Sequence, residues 1–187
     1  MARRAPRGAL LGVVITWLVP RWVTPNMFTM LRCLLVPVVI FVLLLGNVIA
    51  GFVLFVLAVL TDALDGALAR RRHKVTPWGT LHDPIADKLL ITSVAVVAVS
   101  VYADVYLAAA IVLGEVFIVF AAYLRNQGEI VPARLVGKIK MVFQSVGTAV
   151  LLLGVAVLEP VLVDTGIYVL YAAVGLAGLS LFVYRSV

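Results

Sequence analysis

Apolar positions run along this chain in long blocks instead of alternating with polar ones. Six blocks can be read, at 28–45, 48–64, 85–101, 106–123, 141–158 and 161–182. Each is about 17–22 residues long, enough to cross about 30 Å of hydrocarbon as a helix. No stretch shows the two-residue alternation of a membrane barrel strand. The breaks between blocks carry turn residues: Gly46-Asn47, Pro77-Trp78-Gly79, Asp104, Gly128, Pro132 and Glu159-Pro160. The pattern predicts an all-α integral membrane protein with six transmembrane helices in one domain spanning 1–187. Residues 24–187 would form the six-helix bundle. Residues 1–23 put Arg3, Arg4 and Arg7 before the apolar stretch 9–19, then Pro20-Arg21-Trp22 in place of a small-residue cleavage site. An amphipathic helix lying on the cytoplasmic face is expected there.

Composition strengthens this reading. The chain is 64% hydrophobic and 13% charged, against about 25% charged for a soluble domain. Lys and Arg cluster before the first block and around the second and fourth connections, and are missing from the first, third and fifth. By the positive-inside rule both termini and the two basic connections are cytoplasmic. A multi-pass protein of the cell membrane is expected. Its net charge of +6 then reflects topology and anionic lipid, not nucleic acid. Tyr102, Tyr106, Tyr168 and Tyr184 fall near block ends, as in an aromatic belt. The single Cys33 excludes an internal disulfide and reads as a small core residue. In the last block, Ala173, Gly175, Ala177 and Gly178 would let helices approach closely.

Acidic residues inside apolar blocks are costly and call for a reason. Asp104, Glu159 and Asp164 sit at the outer connections, and Glu129 lies in a polar one. Glu115 is mid-helix, with no role evident from sequence. Asp62, Asp65, Asp83 and Asp87 flank the connection between the second and third blocks. Spacings of three and four residues put each pair on one helix face. A short connection would bring the two pairs together, where unpaired like charges would repel. A divalent cation resolves that conflict, and an all-carboxylate set suits Mg²⁺ or Mn²⁺ better than Zn²⁺. Gly66 offers room for a ligand beside the helix backbone, and Arg70 suits phosphate oxygens. Together these residues read as a site for a diphosphate held through metal ions.

The run Asp62-x-x-Asp65-Gly66-x-x-Ala69-Arg70, eight residues, Gly79-x-x-x-Asp83-x-x-x-Asp87 resembles the signature of the CDP-alcohol phosphotransferase family. That resemblance implies six transmembrane helices, a homodimer and two Mg²⁺ or Mn²⁺ ions. It implies that Asp62, Asp65, Asp83 and Asp87 bind metal and that Asp87 is also the general base. Gly66, Ala69, Arg70, Thr76 and Gly79 would contact the CDP moiety of the donor. Thr24-Pro25-Asn26-Met27 with Thr29 resembles a second nucleotide-contacting segment, though from residues alone it is a helix start. The implied reaction moves a phosphatidyl group from CDP-diacylglycerol to an alcohol and releases CMP.

The stretch Asp83-Pro84-Ile85-Ala86-Asp87-Lys88 is similar to that of phosphatidylglycerophosphate synthases, and Arg32 and Gly137-Lys138-Ile139-Lys140 through Gln144 agree. Glycerol 3-phosphate is therefore the leading acceptor, ahead of inositol phosphate or phosphatidylglycerol. Those synthases carry fourth-helix arginines where this chain has Gly114 and Ala122. Arg125, Arg134, Lys138 and Lys140 are the candidates to hold an acceptor phosphate instead. Two other classes compete: a small cation transporter with an aspartate ion site, and an inactive membrane scaffold. Release of CMP separates them from the transferase.

Overall fold

The computed structural model describes residues 25–72, 77–125 and 135–185. They form six helices: α1 Pro25–Leu44, α2 Val48–Arg72, α3 Pro77–Tyr102, α4 Val105–Arg125, α5 Leu135–Val157 and α6 Pro160–Arg185. The expected N-terminal interfacial helix lies outside the described residues. The apolar blocks locate all six helices but misjudge several ends. α2 runs to Arg72 although its apolar block stops at 64, and α3 begins at Pro77, eight residues before its block. Residues 65–72 are mostly good helix formers without an apolar stripe, and Pro77 suits the first helical position.

Two of the described helices hold stretches long and apolar enough to cross a membrane, Gly137–Val157 and Pro160–Leu179. Met30–Leu44, Val48–Thr61 and Val105–Phe120 are shorter apolar stretches. Outward-facing side chains are also apolar, among them Leu34, Phe41, Ile49, Phe117, Phe120 and Val161. So large an apolar exterior is foreign to a monomer in water. Hydroxyls on these helices bond to their own backbone: Thr148 and Thr165 each donate to the carbonyl four residues earlier at 2.7 Å. Cys33, expected in the core, is exposed on α1.

α3 is central and packs against α1, α4 and α5, while α1 also packs on α2. Among the described residues the direct contact of α2 with α3 is slight. The core joins Val39 and Leu43, Phe55 and Ala58, Leu90 to Val99 on α3, Leu107 and Ile111, Leu151 and Leu152, and Leu170. Two contacts fix the direction of α1 against α3. Arg32 meets Asp87 near their starts, and Tyr102 donates its phenol hydrogen to the Leu43 carbonyl at 3.0 Å near their ends. The two helices are therefore parallel, and their N-termini share one end of the bundle. The Leu43 carbonyl thus accepts from both Tyr102 and the Gly46 N–H, whereas Tyr106 and Tyr168 are exposed as a belt requires.

α1 and α5 end alike. After α1, Gly46 takes φ 79°, and Asn47 N–H donates to the Val42 carbonyl at 3.2 Å. After α5, Leu158 takes φ 58°, and Glu159 N–H donates to the Gly154 carbonyl at 2.9 Å. Both are Schellman closures, the second made with leucine in the left-handed region that glycine favours. α5 and α6 form the closest hairpin. A Cβ on Gly154 would lie 2.6 Å from the Val163 nitrogen, and one on Gly166 2.6 Å from the Leu151 nitrogen. On α6, Ala173 and Ala177 are buried, the latter facing Gly114 of α4, while Gly175 and Gly178 face open space. The small residues therefore serve two different faces.

Candidate active site

The signature residues fall on two helices joined by four residues. Asp62, Asp65, Gly66, Ala69 and Arg70 lie on α2, and Gly79, Asp83 and Asp87 on α3. Asp62 is ten residues from the end of α2 and Asp87 ten from the start of α3. At 1.5 Å per residue both stand about 15 Å from the connection. Asp65 and Asp83 lie closer to it, at about 9–11 Å. The 73–76 link can span at most about 17 Å. Both pairs therefore belong to one end of the bundle, at matched depth. Of the four aspartates only the side chain of Asp87 is described, and the others are placed by helix position.

α1 completes this end. Because it runs parallel to α3, its first turns, with Pro25, Asn26, Met27 and Thr29, stand beside the start of α3. Met27 is exposed; Thr24 and Thr76 lie outside the described residues. Arg32 follows two turns into α1. It is fully buried, and its guanidinium is ion-paired with the Asp87 carboxylate. The Asp87 side chain is 20% exposed, so it is partly accessible at this end of the bundle.

A second polar cluster lies next to the first. Glu115 of α4 receives Lys88 of α3 at 3.0 Å and is also ion-paired with Lys140 of α5. Thr92 donates to Glu115 at 3.3 Å, and Gln144 donates to Thr92 at 3.4 Å. A lone acid in an apolar helix needs such partners, and α3 and α5 supply them.

This separates Lys140 from the rest of the expected basic cluster. Lys140 is buried, 4% exposed, and committed to Glu115, so it does not stand in a solvated connection beside Lys138, which is exposed. Residues two apart on a helix do not share a face, and the buried anion claims the inward one. Arg125 ends α4, and Arg134 lies outside the described residues. Arg32, Lys88, Glu115 and Gln144 were not among the site residues read from sequence. The available signal was charge at apolar positions, since Arg32 and Glu115 both interrupt such blocks.

The bundle thus gathers the signature positions of α2 and α3 and the buried Arg32 of α1 at one end. The sequence model of the CDP-alcohol phosphatidyltransferase family matches residues 22–180, and the chain belongs to that family. It is 33% identical to a CDP-diacylglycerol–glycerol-3-phosphate 3-phosphatidyltransferase of Rickettsia typhi, over 70% of this chain and 76% of the relative. The protein of the same name from Bacillus subtilis is 32% identical over 69% and 76%. That of Pseudomonas fluorescens is 38% identical over 52% of each chain.

Proposed function

We propose that this enzyme transfers the phosphatidyl group of CDP-diacylglycerol to glycerol 3-phosphate, giving phosphatidylglycerophosphate and CMP. The observation that carries the reading is the Arg32–Asp87 ion pair. It ties the last signature carboxylate to α1, with that carboxylate still partly exposed. The curated relatives named for this reaction support glycerol 3-phosphate as the acceptor.

The donor set suits Mg²⁺ or Mn²⁺, since Asp62, Asp65, Asp83 and Asp87 offer only hard carboxylate oxygens. When bound, such ions would neutralise the donor's diphosphate and draw charge toward the leaving CMP. With no side chain, Gly66 would let the donor approach the α2 backbone, and Arg70, one turn further on, would supply charge for its phosphate oxygens. Asp87 accepts the acceptor's hydroxyl proton, with Arg32 fixing the direction in which the carboxylate points. The alcohol oxygen forms a bond to the phosphorus that carries the diacylglycerol. The bond from that phosphorus to the bridging oxygen breaks, and CMP leaves with that oxygen. Positioning supplies much of the rate in such in-line transfers. Lys138, with Arg125 and Arg134, is the candidate contact for the acceptor phosphate.

In the same reading all six helices span the cell membrane, residues 1–23 lie on its cytoplasmic face, and the aspartates open to the cytoplasm. The acyl chains of the donor require that setting. The homodimer implied by the family signature belongs to this reading and is checked by the mass of the detergent-solubilised protein.

The test supplies purified protein with CDP-diacylglycerol, Mg²⁺ or Mn²⁺ and a panel of alcohols, reading CMP release and product mass. Phosphatidylglycerophosphate is expected from glycerol 3-phosphate. CMP release with every alcohol except glycerol 3-phosphate sinks the acceptor, and no CMP release with any sinks the reaction.

A further inference from the structure

Glu115 is bound more heavily than its own neutralisation requires. One buried lysine would compensate it, and Lys140 is buried and paired with it. Yet Lys88, whose side chain is 36% exposed and able to turn toward solvent, also lies 3.0 Å from the second carboxylate oxygen. Lys88 is the residue after Asp87. Neighbouring positions on a helix point about 100° apart. Asp87 is held by Arg32 of α1, and Lys88 by Glu115 of α4. Two ion pairs from different helices therefore grip adjacent positions of α3 and fix its rotation about its own axis.

That rotation decides where the Asp87 carboxylate sits. With the carboxylate about 6 Å from the helix axis, a turn of about 20° carries its oxygens about 2 Å sideways. A misplacement of about 1 Å is enough to cost about a hundredfold in rate. We propose that Glu115 is a positioning residue for Asp87, acting through Lys88; the inference rests on the reading of Asp87 as the general base.

The substitution Lys88→Met leaves the buried Glu115–Lys140 pair intact. It should keep the melting temperature within a few degrees, lower kcat about ten- to a hundredfold and leave the KM for CDP-diacylglycerol unchanged. Glu115→Gln should lower kcat by a similar factor, and also lower the melting temperature because Lys140 loses its counter-ion. Glu115→Gln with Lys140→Met should restore the melting temperature without restoring kcat. Lys88→Met removes a positive charge and Glu115→Gln a negative one. An effect of the local field alone would move kcat in opposite directions, and that result overturns the proposal. It is also overturned if Lys88→Met keeps kcat within twofold, if the Lys88→Met/Glu115→Gln pair multiplies the single losses, or if kcat recovers together with the melting temperature. Lys88→Arg, which keeps charge and reach, should recover most of the rate. Asp87→Asn tests the underlying reading by itself: if it stays active, the general base is misassigned and the positioning role falls with it.

Discussion

The guanidinium of Arg32 is wholly buried, and it is paired with the carboxylate of Asp87 across the α1–α3 interface. An arginine is a costly residue to bury, and it is tolerated where its charge is met. Here the charge it meets belongs to the last aspartate of the family signature. Since α1 and α3 run parallel, the same contact brings the start of α1 beside the hairpin that carries the other three aspartates. A helix with no signature carboxylate of its own thus becomes part of the site.

The first prediction concerns Asp87 itself. Asp87→Asn should lower turnover about 10²–10⁴-fold, the usual loss for a missing general base. Donor binding in Mg²⁺ should largely survive. Asp65→Asn should weaken both, because the proposed metal site would lose a ligand. Single-turnover rates and equilibrium binding of CDP-diacylglycerol separate the two effects. Turnover in Asp87→Asn above about a tenth of the parent would contradict the assignment.

Much of this was legible in the sequence, and the parts that were not share a cause. Long apolar blocks found every described helix because each helix is apolar over most of its length. They could not find the ends of α2 and α3, where the signature is polar but still helical. The spacing of Asp62, Asp65, Asp83 and Asp87 gave the carboxylate pairs, since one-turn periodicity is a local property. The partners of Glu115 come from α3 and α5, and no local pattern names them. Lys140 reads as a candidate for the acceptor phosphate for the same reason: its counter-ion lies 25 residues away in the chain.

The α5–α6 hairpin should be intolerant of side-chain bulk. A Cβ on Gly166 would meet the backbone nitrogen of Leu151 at 2.6 Å, and backbone cannot rotate away. Gly166→Ala should cost about 1–3 kcal/mol, the usual range for overpacking. Gly175 on the same helix has nothing within 4 Å. Gly175→Ala should be neutral, or stabilising by up to about 1 kcal/mol through helix propensity. Thermal unfolding of the two variants in detergent provides the comparison, and equal losses would disprove the close approach.

Leu158 closes α5 with φ 58°, and its side chain is almost fully exposed. A left-handed conformation costs a non-glycine residue about 1–2 kcal/mol. Glycine removes that strain but gives back about 0.5–1 kcal/mol in unfolded-chain entropy. Leu158→Gly should therefore stabilise the protein by a fraction of a kcal/mol to about 1 kcal/mol. At Gly46, which has the same role after α1, Gly46→Leu should destabilise. Opposite shifts in melting temperature are the expected result.

Lys138 and Lys140 are two residues apart, and their substitutions should fail in different ways. Lys140 is buried against Glu115. Lys140→Ala leaves that carboxylate with Lys88 as its one described cation and Thr92 as a neutral donor, so the melting temperature should fall. The loss should stay below the 3–5 kcal/mol of a fully orphaned buried charge, because Lys88 still lies 3.0 Å away. The KM for the acceptor should change little. Lys138 is exposed and pairs with no acid among the described residues. If it meets the acceptor phosphate, Lys138→Ala removes a charge-assisted contact worth about 1.5–3 kcal/mol. The KM for glycerol 3-phosphate should then rise about ten- to a hundredfold, with the melting temperature and the KM for CDP-diacylglycerol unchanged. An unchanged acceptor KM in Lys138→Ala would remove Lys138 from the acceptor site.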